Sequence, residues 1–359
     1  MWPYFDHPPL NGLVVASWAL LFGEHTFPKI ELSVIRIVPI LLSTLSSILV
    51  YLIAQRKFGF RTALWALLIY ITVPIFVIQS RVVLAENLLT PLILLTLYLY
   101  DRVRTHLDIR HVIVLGVLAG LSLWTKEVGI CVAISVCFLM IIDRVRFSLF
   151  SSFMCVFLLF ALGYIVYGMY FDREVFWNII SMQSSRDIGP QTLLYILSTP
   201  IIINKIYYDG WYFLGFISLF ASLLRRKEFE SIIVHACVYF ALLLVLLTQK
   251  GEMGWYLLPL FPFMAITTGR FLVESLQTGN WYILGMILFV GFSHIQHIYQ
   301  ENFGVTTGSF RLLSALLIAP ILVALLSKNE SVFQKVGNLY FYIFIAGNIF
   351  LTYSYIHPA

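Results

Sequence analysis

The chain alternates long apolar runs with short polar breaks. Apolar segments lie at about 33–54, 62–79, 82–100, 111–125, 128–142, 147–170, 211–224, 232–249, 255–273, 281–296, 311–327 and 336–355. The runs are continuous, whereas a transmembrane β-barrel alternates apolar and polar positions. A helix needs about 20 residues to cross the hydrocarbon core. The pattern therefore predicts an all-α, polytopic transmembrane helical bundle of about twelve spans, a single membrane domain over 1–359. Leu10 to Gly23 is short for a span and follows Pro8-Pro9, which suits a helix start. It reads as an interfacial helix with Trp18 near the headgroups, within an external stretch 1–32. The longest polar break, 171–210, reads as an external loop whose Trp, Tyr and Ile side chains pack on the membrane surface. The chain shows no repeat of 20–50 residues, no low-complexity segment and no soluble appendage.

Composition sharpens this picture. Of 359 residues, 60% are hydrophobic and 11% charged, against about 25% charged in soluble domains. That excludes a water-soluble globular protein and marks an integral, multi-pass membrane protein in contact with a lipid bilayer. The formal charge of +5 is small for this length and suggests no nucleic-acid role. Its distribution is more informative. One set of alternate loops carries Arg56, Lys57, Arg61, Arg102, Arg104, Arg144, Arg146, Arg225 and Arg226, and its cations outnumber its acids. This set is cytoplasmic by the positive-inside rule. The other set, with Asp6, Glu24, Glu31, Glu86, Glu127 and Asp187, is net acidic and faces outside or the lumen. The amino terminus then lies outside, without the helix that would deliver it there, so an incomplete chain is expected. Cys131, Cys137, Cys155 and Cys237 all sit in apolar runs and read as small hydrophobes, not as a disulfide framework.

Ionisable groups at the hydrocarbon boundary are costly and are candidates for function. Five external clusters stand out. In Tyr4-Phe5-Asp6-His7-Pro8-Pro9-Leu10, two prolines present an acid and a histidine from a stiff corner. Such a pair could hold a divalent metal ion or move a proton; alternatively Asp6 caps an interfacial helix. Between Arg81 and Asn87, Glu86 either pairs with Arg81 or stands at the mouth of a cavity. Lys126, in Trp124-Thr125-Lys126-Glu127, interrupts an apolar stretch too short for two full spans. It is placed for a lipid phosphate or for snorkelling to water. Lys250 opens a stretch that continues to Pro259 and Pro262, and prolines in membrane helices often mark cavities. Arg186-Asp187 is the fifth. Several external cations converging would suit a phosphate or pyrophosphate. His294 and His297 form an H-x-x-H that reads as an ordinary interfacial pair. No Walker loop, G-x-G-x-x-G, HExxH or G-x-S-x-G occurs. A secondary transporter is disfavoured, because the polar groups gather at one face and no paired repeat is present.

Four of these segments, in order, resemble the GT-C membrane glycosyltransferases, in the branch of protein O-mannosyltransferases and lipid A aminoarabinose transferases. They are Tyr4 to Leu10, Leu84-Ala85-Glu86-Asn87, Gly116 to Lys126 (similar to a G-x-x-x-G-L-x-x-x-T-K pattern) and Trp255 to Pro262. They span about residues 1–270. The resemblance implies a polyprenyl-phosphate sugar donor and an acceptor protein, lipid or glycan on the extracytoplasmic face of a prokaryotic cell membrane. It also implies Asp6 and Glu86 as catalytic acids, and His7, Lys126, Lys250 and Arg186 as donor-phosphate ligands. A metal would lie on Asp6 and His7. Chemically this is coherent: a lipid-phosphate leaving group needs charge neutralisation, and a carboxylate must activate the acceptor. The family's first external loop carries a further acid some tens of residues before the H-P-P-L segment. The chain starts at the latter, which implies truncation or an inactive protein. The alternative is a non-catalytic membrane protein of the same fold that binds a lipid-linked glycan or a partner.

Overall fold

The apolar runs become helices almost segment by segment. A computed structural model describes residues 7–26, 28, 30–185, 189–202, 205–247, 254–278, 282–300, 306–326 and 330–355. In chain order the helices are α1 (Leu10–Leu21), α2 (Leu32–Ile35), α3 (Ile37–Phe58), α4 (Phe60–Thr72), α5 (Pro74–Ser80), α6 (Ala85–Val103), α7 (Ile109–Thr125), α8 (Ile130–Ile142) and α9 (Phe147–Ser184). They continue with α10 (Gln191–Ser198), α11 (Gly210–Leu223), α12 (Arg226–Leu246), α13 (Phe261–Thr278), α14 (Tyr282–Met286), α15 (Phe292–Gln300), α16 (Thr307–Leu326) and α17 (Glu330–Ser354). Tight 3-10 turns at Glu127–Gly129 and Gly254–Leu260 lead into α8 and α13, and a π segment, Ile287–Gly291, joins α14 to α15. Strands β1 (Ile201–Ile202) and β2 (Lys205–Ile206) pair antiparallel, Ile201 opposite Ile206.

The polytopic, all-α membrane architecture expected from the hydropathy is present. Among the described residues, five helical stretches are long and apolar enough to cross a bilayer by themselves. The pair α4 and α5, bent by 64° where Pro74 opens a new helix, is long and apolar enough only when the two are taken together. Six further apolar helices have 10–17 residues, α1 among them, so the twelve segments do not all become full-length crossings. The stretch 171–210, read as a loop, is mostly helical in its described part. Helix α9 continues to Ser184 across a non-helical Asp172, whose side chain accepts a bond from the Val175 amide at 3.0 Å. All four cysteines are free.

The chain forms two compact units, each drawn from separated stretches. The first comprises residues 1–49, 80–196 and 226–260, and the second 50–79, 197–225 and 261–359. In the first unit α7 lies directly on α9. Gly120 makes this possible, because a Cβ there would overlap the Phe160 ring on α9. Trp124, one turn further on, donates its indole N–H to the Phe160 carbonyl at 2.8 Å. At the basic ends of α6 and α8, Arg104 pairs with Asp143 and with Glu230 of α12.

In the second unit, Trp65 stacks on Phe341, and Asn348 of α17 accepts from the Trp211 indole at 3.0 Å. The two histidines of the H-x-x-H turn to different partners: His294 Nε2 lies 2.8 Å from Asn348 Oδ1 and His297 Nε2 lies 2.6 Å from the Tyr208 carbonyl. Asp209 caps α11 through the Trp211 amide at 2.8 Å and is buried. Burial pushes its carboxyl up to about 7, with the backbone N–H groups of Trp211, Ile75 and Tyr212 pulling the other way. A carboxyl raised in the folded state binds more protons there than in the unfolded chain. Its contribution is therefore favourable in acid and is lost as the pH rises from the ordinary carboxyl value to about 7. Asp209→Asn keeps an acceptor for the cap. It should raise the melting temperature in detergent at pH 8 more than at pH 4. An equal shift at both pH values would contradict this.

Candidate functional site

Three sequence segments far apart in the first unit meet at one buried ion pair. Glu86 sits in the first turn of α6, where Asn87 fixes the entry by donating to the Val82 carbonyl at 2.6 Å. Lys126 ends α7 in an extended conformation that turns its side chain back, and its ammonium binds the Glu86 carboxylate. The third segment is the 3-10 turn Gly254–Leu260: the Lys126 ammonium lies 3.6 Å from the centre of the Tyr256 ring. That ring is held in turn, because Tyr239 of α12 donates to the Tyr256 carbonyl at 2.7 Å. Glu86 is 1% and Lys126 2% exposed. Burying two charges is tolerable only when each satisfies the other, and a facing aromatic ring adds to the cation's side.

The next residue faces the other way. Glu127 follows Lys126 in a turn closed by the Gly129 amide bonding to the Lys126 carbonyl at 2.8 Å. Gly129 lies so close to α7 that a Cβ would overlap the Ser122 carbonyl. The Glu127 carboxylate is one-third exposed; one oxygen accepts from the Tyr164 hydroxyl at 3.3 Å, and the other lies 3.8 Å from His7 Nδ1. Tyr164 is set in α9 against Phe176, with Trp124 and Tyr167 packed on the same aromatic group. His7 immediately precedes Pro8-Pro9 and α1. An apolar cleft of about 500 Å³ begins three residues later, lined by Leu10, Leu13, Trp18, Leu41 and Leu42.

Of the residues singled out in the sequence, the structure brings together Glu86 and Lys126, and sets His7 beside Glu127, the chain neighbour of Lys126. Asp6, Arg186 and Lys250 lie outside the described residues. Among the described residues no group of three His, Cys, Asp or Glu side chains could hold a metal ion. The metal expected on Asp6 and His7 falls in part outside the described residues.

Residues 6–169 match the family model of dolichyl-phosphate-mannose-protein mannosyltransferases, just under half of the chain. No curated protein matches the sequence. In fold, the chain is similar to ArnT from Cupriavidus metallidurans in the apo state (TM-score 0.60, 16% identity, covering 97% of this chain and 67% of that one). The same protein bound to undecaprenyl phosphate gives TM-score 0.60 at 15% identity over 98% and 69%. An Archaeoglobus fulgidus oligosaccharyltransferase tethered with an acceptor peptide gives 0.51 at 14% identity, over 97% of this chain and 47% of that one. The chain thus shares the fold of these membrane proteins, and its first half is similar to the mannosyltransferase family. The matched region carries Glu86, Lys126 and Glu127, together with the close α7–α9 packing.

Glu127, Tyr164 and Tyr256 are the site residues that the sequence reading did not assign. Glu127 had a signal, being a carboxylate beside Lys126 in a cluster already noted. Tyr164 had none, since it lies in an apolar run where a hydroxyl looks incidental. Tyr256 was visible inside the W-Y-L-L-P segment, but its ring contact with a lysine 130 positions earlier was not.

Proposed function

We propose that this protein transfers a sugar from a polyprenyl-phosphate donor to an acceptor on the extracytoplasmic side of a prokaryotic cell membrane. The observation that carries the reading is the Glu86–Lys126 pair under Tyr256, which ties the L-A-E-N, T-K and W-Y-L-L-P segments into one centre. A lipid carrier needs no nucleotide loop and needs a site at the membrane boundary. It also needs an apolar path for its tail. The cleft between α1 and α3, whose lining starts at Leu10, would serve as such a path for the first isoprene units.

In this reading the bond from the anomeric carbon to the phosphate oxygen breaks as the acceptor oxygen or nitrogen attacks, and the polyprenyl phosphate leaves with the electron pair. The leaving phosphate gains negative charge, so cations near it lower the barrier. His7 is the described group open to that role, with Lys250 and Arg186 as further proposed ligands. Lys126 supplies positive charge from below, and Glu86 sets its position. Asp6, chain neighbour of His7, is the proposed carboxylate that takes the acceptor's proton as the new bond forms, and a divalent metal held by Asp6 and His7 would add further neutralisation.

The test is discharge of dolichyl-phosphate mannose, and of a panel of polyprenyl-phosphate hexoses, by purified protein in nanodiscs supplied with peptide, lipid and glycan acceptors. Acceptor-dependent release of bare polyprenyl phosphate is the expected result. Tight binding of these lipids with no discharge of any would instead identify a non-catalytic binder of lipid-linked sugar.

A further inference from the structure

We propose that Glu127 and His7 form the subsite for the donor's sugar ring, and that Tyr164 is the residue that positions Glu127. This deepens the transferase reading and rests on it. A carboxylate has about four lone-pair sites. At Glu127 one oxygen is engaged by Tyr164, and the other faces His7 across 3.8 Å. That gap is too long for a hydrogen bond. It is short enough for one hydroxyl oxygen to bridge, bonding to both. Among the described residues, His7 Nδ1 is shut from solvent and has no hydrogen-bond partner. The two atoms therefore share an unfilled demand that one sugar hydroxyl meets, accepting from the imidazole and donating to the carboxylate.

In the gap between Glu127 and His7 Nδ1 the surroundings favour a sugar hydroxyl over a phosphate oxygen. A phosphate would set like charge against the Glu127 carboxylate, whereas hydroxyl groups donate to it, and hydrogen bonds to a charged acceptor are the strong ones. Trp124 and Tyr167, both half-buried, pack against the aromatic group that anchors Tyr164. They make the wall behind Glu127 rigid and apolar, which fixes the carboxylate without competing for its free oxygen. The division of labour follows from burial. Glu86 and Lys126 are sealed and cannot touch a sugar, while Glu127, next in the chain, is open.

The experiment compares binding of bare dolichyl phosphate with binding of dolichyl-phosphate mannose and other polyprenyl-phosphate hexoses, using full-length protein in nanodiscs. The wild type should bind at least one sugar-bearing lipid more tightly than the bare one. Glu127→Gln should weaken that sugar-bearing lipid by about tenfold or more, the range for a lost bond to a charged group, and leave bare dolichyl phosphate unchanged. Tyr164→Phe should give a smaller loss in the same direction, again confined to the sugar-bearing lipid. Melting temperatures should show that both variants are folded. Equal weakening of both lipids in Glu127→Gln, or no change in either, overturns the subsite and leaves the transferase reading standing. A wild type that prefers no hexose over the bare lipid also overturns it. If the wild type binds neither lipid, the carrier reading falls and the subsite falls with it.

Discussion

Lys126→Ala should destabilise the protein by about 3–5 kcal/mol and abolish sugar transfer, because it strands the Glu86 carboxylate where water cannot reach it. The loss comes from the unpaired charge, so it should shrink when the partner is neutralised too. Glu86→Gln/Lys126→Met should be substantially more stable than Lys126→Ala, and more stable than the sum of the two single changes allows. Unfolding of all variants in the same detergent gives the coupling directly. A buried pair is not in itself a gain in stability over apolar residues of the same volume. Its presence in the first unit therefore fits a role in placing charge under a substrate, and the double variant should remain without transferase activity even where stability recovers. Additive effects of the single changes would show that the two side chains do not interact in the membrane.

Gly129→Ala should cost about 1–3 kcal/mol, the range for overpacking, with a larger effect on transfer than its stability loss explains. The added methyl would meet the Ser122 carbonyl and the Leu123 amide, which are backbone atoms and cannot rotate aside. Relief requires the 3-10 turn to move, and that turn carries Lys126 toward Glu86 and Glu127 toward His7. Gly12→Ala in α1 is the control. A Cβ there meets nothing within 4 Å, and alanine suits a helix better, so this variant should be neutral or slightly stabilising. If Gly129→Ala behaved like Gly12→Ala, the turn would not be the rigid mount described above.

Much of the architecture was legible because a bilayer leaves the chain few choices. Runs such as 128–142 and 211–224 coincide with α8 and α11 almost to the residue. What periodicity could not reveal were interruptions inside apolar sequence. Val73-Pro74 reads as part of one run, yet proline is well placed to begin a helix, and the chain turns there. Asp172 reads as the end of a span, but its side chain caps the following turn and helix resumes. The short 111–125 and 128–142 runs did predict a shortened pair, and α7 and α8 bear this out at 17 and 13 residues.

The site was legible in its parts and not in its connections. Glu86 and Lys126 each stood out as an ion at an apolar boundary, but nothing in a sequence pairs residues 40 apart in the chain or makes one bury the other. That pairing also changes the chemistry assigned to them. Sealed side chains hold a position or supply a field, and in the proposal above Glu127 and His7 are the residues that touch substrate. Two prolines in 255–262 were read as a sign of a cavity. In the structure Pro259 lies in a 3-10 turn and Pro262 in the first turn of α13, and the same turn delivers Tyr256 to Lys126.

The donor lipid is expected to lie along α1 with its sugar at His7 and Glu127, in the turn next to the Glu86–Lys126 pair. Photo-crosslinking with a polyprenyl phosphate bearing a diazirine on its first isoprene unit, mapped by mass spectrometry, tests this most directly. Adducts should fall within residues 7–21 and 124–129, and excess unlabelled polyprenyl phosphate should suppress them. Specific, competable adducts confined to other helices, with these two segments unlabelled, would contradict the claim.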